Sequence, residues 1–422
     1  MSRPRTLTHT LGFPRMGAHR ELKFALEKHW RGEIDASELA ATGAALRARH
    51  WDLQRAAGLD VVAVGDFAFY DHVANHIQLL GCEPARFGFT GEETPLARYF
   101  AMARGVSATP HAEGATCDHG PACHGHAVAD DGQPALEMTK WFDTNYHYLV
   151  PEFTSATRFG LASEQLFDEV AEAIAAGHRP KPVLLGPLSF LWLGKEKEAG
   201  FDRFSLLESL LPVYEQILVR LKAQGVEWVQ IDEPVLGLDL PDAWRNAFER
   251  SYWQLSRSGV KLLLATYFSP LQDNLRLACQ LPVAGLHVDA VRAPEELTGV
   301  ADWLSAHKVL SIGIVDGRNI WRTDPDAALG LLRPIADKFR GELWLGTSCS
   351  LLHVPVSLEA EAALDAEIRD WLAFAVEKLD ELRTLAAVLD GDEARVAAPL
   401  AASRAAIAAR RASPRVHRPD VA

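Results

Sequence analysis

Apolar residues along the chain fall into eight short, nearly unbroken runs separated by stretches with a helical polar–apolar pattern. The runs cover residues 8–13, 61–66, 183–187, 228–234, 262–268, 285–291, 310–316 and 343–348. A strand that is apolar on both faces is covered on both sides, so each run predicts a strand of a buried parallel sheet. Between the runs the period lengthens. Leu22, Leu26 and Trp30 step by four, and Leu166, Val170 and Ile174 do the same before Gly177 closes their helix. Asp35 and Glu38 predict a capping box ahead of a helix through Leu39, Leu46 and Leu53, and Ser205 and Glu208 predict another for the helix running to Gly225. A helix over 325–339 lies between the seventh and eighth strands. One long helix is expected over 358–389, with Leu364, Ile368, Trp371, Ala375 and Leu379 inward. Alternating strand and helix is the α/β class, and eight repeats favour a closed (β/α)8, TIM-like barrel over an open sheet.

Two segments exceed a minimal barrel. Residues 67–161, after the second strand, form a long insertion, well beyond an ordinary connection. Its later part, 137–151, mixes aromatic and polar residues in the manner of a site rather than a core. The second segment, 393–422, is Ala-rich and then basic (Arg404, Arg410, Arg411, Arg415, Arg418) and reads as a linker without a terminal element. The expected organisation is a barrel over 1–390, with an insert loop at about 106–134, followed by a helical, basic linker over 391–422.

Composition narrows the function classes. The chain has 422 residues, 48% hydrophobic, with a formal net charge of −13. That balance argues against general nucleic-acid binding. The densest apolar run, 183–193, is too short to span a membrane and is broken by Gly186 and Pro187. Five cysteines and no apolar leader point away from a disulfide framework and toward a reducing cytoplasm. Cys117, His119, Cys123, His124 and His126 cluster in the insert. Cys and neutral His suit zinc or copper, yet Cys-x-His-x3-Cys-His is not a standard structural zinc spacing. A metal-holding loop and an unstructured loop with weak ligands both remain open.

Against the acidic background, one basic cluster stands out. Pro14 ends the first strand, Gly17 turns the chain, and a helix follows, with Arg15, His19, Arg20 and Lys23 around the turn. A helix start carries the positive end of its dipole and donor N–H groups, so this arrangement suits an anion. The plainer alternative is that Arg20 and Lys23 solvate a helix face. In such barrels chemistry gathers where strands end, and those ends carry Asp66, Asp232, Glu233, Tyr267, His287, Asp289, Asp316 and Cys349. Adjacent Asp232 and Glu233 must point to opposite sides, as a substrate or cation contact or as a structural ion pair. His287 is expected to be packed and hydrogen-bonded, and Cys349 to be a buried small hydrophobe.

Several stretches together resemble one family. They are Leu11-Gly12-Phe13-Pro14-Arg15 with Arg20-Glu21-Leu22-Lys23, then Arg49-His50-Trp51-Asp52 and Val64-Gly65-Asp66-Phe67. Further on come Glu137-Met138-Thr139-Lys140-Trp141-Phe142, Asn145-Tyr146-His147-Tyr148, Leu185-Gly186-Pro187 and Gln230-Ile231-Asp232-Glu233-Pro234. In this order the sequence resembles the amino-terminal half of cobalamin-independent methionine synthase, from about Leu7 to Arg415 apart from the insert. The resemblance implies two face-to-face barrels and a methyltransferase of methionine biosynthesis. Such an enzyme moves a methyl group from 5-methyltetrahydropteroyltri-L-glutamate to L-homocysteine. It implies a catalytic zinc in a second, carboxy-terminal barrel, which this chain lacks as a truncated or split product. It also implies folate-tail contacts at Arg20, Glu21, Leu22, Lys23 and Lys140. Asp289 and Cys349 fall where the duplicated barrel would place zinc ligands, but two groups cannot close such a site, and they read as remnants.

The expected state is therefore a folate-polyglutamate-binding half with no cofactor of its own, partnered by the zinc barrel in cis or in trans and making no methionine alone. A non-enzymatic module that captures folylpolyglutamate or another anion is the alternative. Neither nucleic acid nor membrane is an expected partner.

Overall fold

The computed structural model describes residues 4–106 and 132–417; the Cys117–His126 cluster lies outside them. Eight strands form the barrel: β1 Leu7–Thr8, β2 Val62–Val64, β3 Pro180–Leu185, β4 Trp228–Asp232, β5 Lys261–Ala265, β6 Gly285–Asp289, β7 Val309–Val315 and β8 Glu342–Thr347. The ladder runs β1-β8-β7-β6-β5-β4-β3-β2, with every pair parallel. Asp60 closes the seam between its ends. Its N–H donates to Thr8 O at 3.0 Å, and its carboxylate accepts the Thr8 N–H at 2.8 Å. All eight expected strands are present, although β1 ends at Thr8 and does not run on to Phe13, and the fold is the (β/α)8 barrel. β3 begins three residues before its apolar run, which brings Lys181 into the sheet.

The chain divides into two compact units. The larger, residues 1–69, 164–189 and 214–422, holds the barrel. Its interior is filled at the amino-terminal end by Trp228, Leu263, Val309 and Trp344. The helix Ala36–Ala56 starts on the expected box, with Asp35 accepting from Glu38 N and Glu38 accepting from Asp35 N. Such a pair satisfies two otherwise orphaned donors and contributes about 1 kcal/mol. The helix Gln165–Ala175 buries Leu166 and Val170 but leaves Ile174 outside. The helix Pro325–Lys338 lies where its pattern placed it.

Two expectations need correction. Residues 358–389 are not one helix. A short helix, Ala366–Trp371, capped by Asp365, is followed by extended Leu372, and a second helix runs over Ala375–Leu389. Here backbone pairing outcompetes helix propensity, because Ala373 N–H bonds to Ile320 O and Leu372 bridges to Trp321. Leu364 is exposed as a result. The cap lies at Asp202 and not at Ser205: Asp202 caps the 3-10 turn Arg203–Leu206 that leads into the helix, and the Ser205 hydroxyl donates to the Asp202 carbonyl. The helical segment expected after the barrel is present as the helix Ala397–Ala412. Its basic residues pair with acids of the barrel: Arg404 with Asp326, Arg411 with Asp324, and Arg415 with Asp365 and Glu367.

The smaller unit comprises residues 70–163 and 190–213. Most of the long insertion belongs to it. Its hub is the buried carboxylate of Asp71, which accepts from Ala74 N, Leu149 N and the Tyr146 hydroxyl at 3.0, 3.1 and 2.8 Å. Its backbone is held by the Tyr99 hydroxyl. One side chain thus caps the helix His72–Leu79 and fixes the hairpin Met138–Lys140/His147–Leu149. The aromatic residues of 137–151 largely build this core: Trp141 and Tyr148 are buried, with Trp141 edge-on to His72.

Asp71→Ala removes a cap and strands two buried donors, which predicts a loss of about 2–4 kcal/mol. Asp71→Asn keeps the cap geometry and is expected to lose less. Hydrogen exchange at Leu149 N–H, faster in Asp71→Ala than in Asp71→Asn, checks the assignment.

Candidate functional site at the carboxyl ends of the barrel strands

Above the apolar layer the barrel interior turns polar. His9, Lys181, Gln230, His287 and Ser311 are all buried there. Ser311 Oγ lies 2.6 Å from His9 Nε2 and 2.7 Å from His287 Nδ1. Burial, with the nearby Lys181 charge second, pulls His287 down to about 3, so it is neutral, packed and hydrogen-bonded as expected. Lys181 Nζ donates to Gln230 Oε1. Gln230 Nε2 in turn donates to Leu11 O at 3.0 Å and to Asp232 Oδ1 at 2.7 Å. Tyr267 OH completes the cluster on Asp232 Oδ2 at 3.0 Å. Burial lowers the Lys181 pKa, opposed by Asp232 and Asp66. Burial raises that of Asp232, opposed by its hydrogen bonds and by Lys181. Asp66 accepts the Phe13 N–H at 2.7 Å.

Asp232 and Glu233 do point to opposite sides. Glu233 turns away from Gln230 and Tyr267. It is fully buried, accepting from Ser189 N at 2.8 Å, Ser189 Oγ at 2.6 Å, Tyr252 OH at 3.0 Å and Leu188 N at 3.3 Å. A Cβ on Gly186 would sit 2.1 Å from Glu233 Oε1, so glycine is required there. Burial pushes Glu233 up to about 7. Leu188, Ser189 and Tyr252 give this carboxylate two backbone N–H groups and two hydroxyls of the fold itself.

Asp289 and Cys349 do not fit a zinc ion. The Asp289 carboxylate accepts three backbone N–H groups, those of Phe268, Val291 and Arg292, each at 3.0 Å. Cys349 is buried, and burial, then Asp289 and Asp316, raise its thiol well above the ordinary value. Among the described residues no three His, Cys, Asp or Glu side chains converge on a possible metal position.

The basic turn after β1 is built as a bracket. Gly17 takes φ 80° and Arg20, just before the helix Glu21–Trp30, takes φ 60°. An arginine in the left-handed region is uncommon, with a conformational cost of about 1–2 kcal/mol. Glu21 holds the turn: it accepts from His19 N at 2.9 Å and from Arg49 Nη2 at 2.5 Å. Partial burial opposes its ionisation, but these bonds and its own N–H carry its pKa below the usual value. The start of the helix is thus already served by an internal carboxylate, and Leu22 N–H bonds to Met16 O. Leu22 itself is completely buried. Arg15 reaches Ala68 O. Arg20 is exposed, with no side-chain partner among the described residues, and Lys23 is exposed, 3.7 Å from Glu27. Lys140, at the end of its hairpin strand in the smaller unit, is exposed as well.

Sequence reading missed Lys181, His9 and Ser311. Period two along β3 places 181 and 183 on one face, but an isolated lysine next to two prolines reads as the start of a loop. Only the closed barrel shows that it faces inward.

Residues 7–340 match the family model described as cobalamin-independent synthase, N-terminal domain. Among solved structures the chain is similar to a B12-independent methionine synthase from Shewanella sp. W3-18-1. That match has 13% identity and a TM-score of 0.60, over 93% of this chain and 100% of that one. It is also similar to a putative vitamin-B12-independent methionine synthase from Listeria monocytogenes, at 14% identity and a TM-score of 0.55, over 93% and 98%. A methyltransferase from Methanosarcina mazei matches at 10% identity and a TM-score of 0.53, over 90% and 93%. At these identities the structures attest the fold. No helix among the described residues is long and apolar enough to cross a membrane.

The raised Glu233 value has a measurable consequence. The folded state holds this proton more tightly than the unfolded chain, whose value is near 4.5. The stabilisation is therefore complete below about 4.5 and is lost as pH rises toward 7, by at most about 1.4 kcal/mol per pH unit. Glu233→Gln does not titrate. Its stability relative to the native chain should improve steadily from pH 4.5 to 7 and level off above. A difference curve that is flat across this range would show that Glu233 is not buried in this way.

Proposed function

Because the chain belongs to the cobalamin-independent methionine synthase family through that family's N-terminal domain, we propose that it holds the polyglutamate tail of 5-methyltetrahydropteroyltri-L-glutamate, the methyl donor in methionine synthesis. The observation that carries this reading is the turn after β1. There Arg20 and Lys23 are exposed beside a helix start, and Glu21, Arg49 and buried Leu22 fix the backbone between them. A triglutamate tail offers several carboxylates, and charge-assisted bonds from Arg and Lys are the strong way to grip them. In this reading Arg20, Lys23 and Lys140 supply charge, while Glu21 and Leu22 hold the turn. The left-handed Arg20 supports it, since backbone cost is retained where a side chain must be aimed.

The chemical step needs the homocysteine thiol ionised at neutral pH, where a free thiol is mostly protonated. Neither Cys349 nor Asp289 has a free face for that work. The reading therefore assigns sulfur activation to a carboxy-terminal zinc barrel, in cis or in trans, and substrate holding to this chain.

Calorimetry with the two donor forms tests the tail site. The unmutated chain should bind the triglutamate more tightly than the monoglutamate, and salt should narrow the gap. Lys23→Ala or Lys140→Ala should each cost on the order of 1–3 kcal/mol for the triglutamate and little for the monoglutamate. Equal binding of both forms by the unmutated chain sinks the assignment. Arg20→Gly should separate folding from binding. Relief of φ 60° offsets the entropy of glycine, leaving stability within about 1 kcal/mol of the native chain, while triglutamate affinity falls.

With homocysteine, triglutamate donor and zinc but no second barrel, the expected outcome is no methionine. Sustained turnover abolished by Cys349→Ser would overturn the division of labour.

A further inference from the structure

A cavity of about 390 Å³ lies between the carboxyl ends of β6 and β7, the helix Pro325–Lys338 and the carboxy-terminal helix Ala397–Ala412. Val291, Ile314, Ala328, Leu331 and Ile407 are among its apolar lining residues. Its charged residues are almost all accounted for. Asp316 accepts from Arg318 N and Asn319 Nδ2. Asp324 caps the helix Pro325–Lys338 and pairs with Arg411 at 2.6 Å. Arg322 donates to Asp370 O at 2.9 Å.

Arg410 is the exception. Its guanidinium stacks on Trp321, 4.6 Å from the ring centroid, without a carboxylate partner among the described residues. Its Nη1 is buried with no hydrogen-bond acceptor. A buried donor left unmade is costly, and a guanidinium fork is matched by a carboxylate. Arg404, Arg411 and Arg415, its neighbours in sequence, all have such a partner.

We propose that this cavity is a binding site for a small organic monocarboxylate with an apolar body, its carboxylate on Arg410 and its body against Ile314, Leu331 and Ile407. The volume lies near the low end for ligand pockets, suiting a one- or two-ring molecule rather than a folate triglutamate. The fixed charges of Asp316 and Asp324 disfavour a second negative group in the same space. The site is separate from the turn after β1 and does not rest on the tail-binding reading. Three lining residues, Ile407, Arg410 and Arg411, come from the carboxy-terminal helix. Exposed ion pairs such as those holding this helix are individually weak, so a ligand bridging helix and barrel stabilises its docking by mass action.

The test is calorimetry of the whole chain with 4-phenylbutyrate, alongside its neutral counterpart 4-phenyl-1-butanol. The expected result is saturable one-to-one binding of the carboxylate, with the alcohol at least roughly tenfold weaker. Arg410→Gln should lose at least roughly tenfold in affinity. Ala327→Phe leaves Arg410 in place and fills the cavity from an exposed position; it should abolish binding. The ligand should also slow protease cleavage within 397–412 in the native chain and not in Ala327→Phe. Absence of saturable heat at millimolar ligand, equal affinity for the alcohol, or unchanged affinity in either variant overturns the site.

Discussion

An ammonium group buried in the middle of the barrel constrains everything at its mouth. Lys181 is wholly shielded from solvent, and taking such a charge out of water costs several kcal/mol unless acceptors and opposite charges surround it. Gln230 takes the direct bond, and Asp232 and Asp66 supply the field. Each of these groups then binds something else. Gln230 fixes Leu11 O, Asp66 fixes Phe13 N–H, and Asp232 fixes Tyr267. One charge therefore ties β3 and β4 to the chain leaving β1. The basic turn that follows starts from a rigid point, which is what a binding residue on a loop needs.

Beyond that centre, the strand-end carboxylates split into two kinds. Asp232 stays within a network of side chains facing the barrel interior. Asp289 and Glu233 are absorbed by the backbone: one gathers three N–H groups of the loops, the other caps Leu188 and Ser189. A carboxylate used in this way stabilises loops and is poorly placed to serve as a ligand. The protein thus carries acids where a chemical centre could be built, yet has turned two of them into scaffolding.

Cations show the same division. In an acidic chain many arginines pair with the protein's own acids, as Arg49 does with Glu21 and Arg47 with Glu169 and Glu172. Arg20 and Arg410 are not used in that way. One stands exposed in a costly backbone conformation; the other is stacked on an indole beside a cavity. Both keep hydrogen-bonding capacity that the fold itself does not consume, and each anchors a separate binding proposal.

How much of this was legible beforehand follows from the range of the forces involved. Eight strands, the Asp35 box and the opposite pointing of Asp232 and Glu233 could all be read directly. They depend on period, local capping and the two-residue repeat, which neighbours in sequence determine. The motif-by-motif resemblance likewise marked the family, because those residues stand in order along the chain. The break at Leu372 could not be read, since its cause is pairing with Ile320 and Trp321, some fifty residues away. Nor could the inward Lys181, the serine between two histidines, or the pairing of the basic carboxy-terminal residues with Asp324, Asp326 and Asp365. Each is a contact between distant segments, made possible only when the barrel closes and decides which charges are left without water.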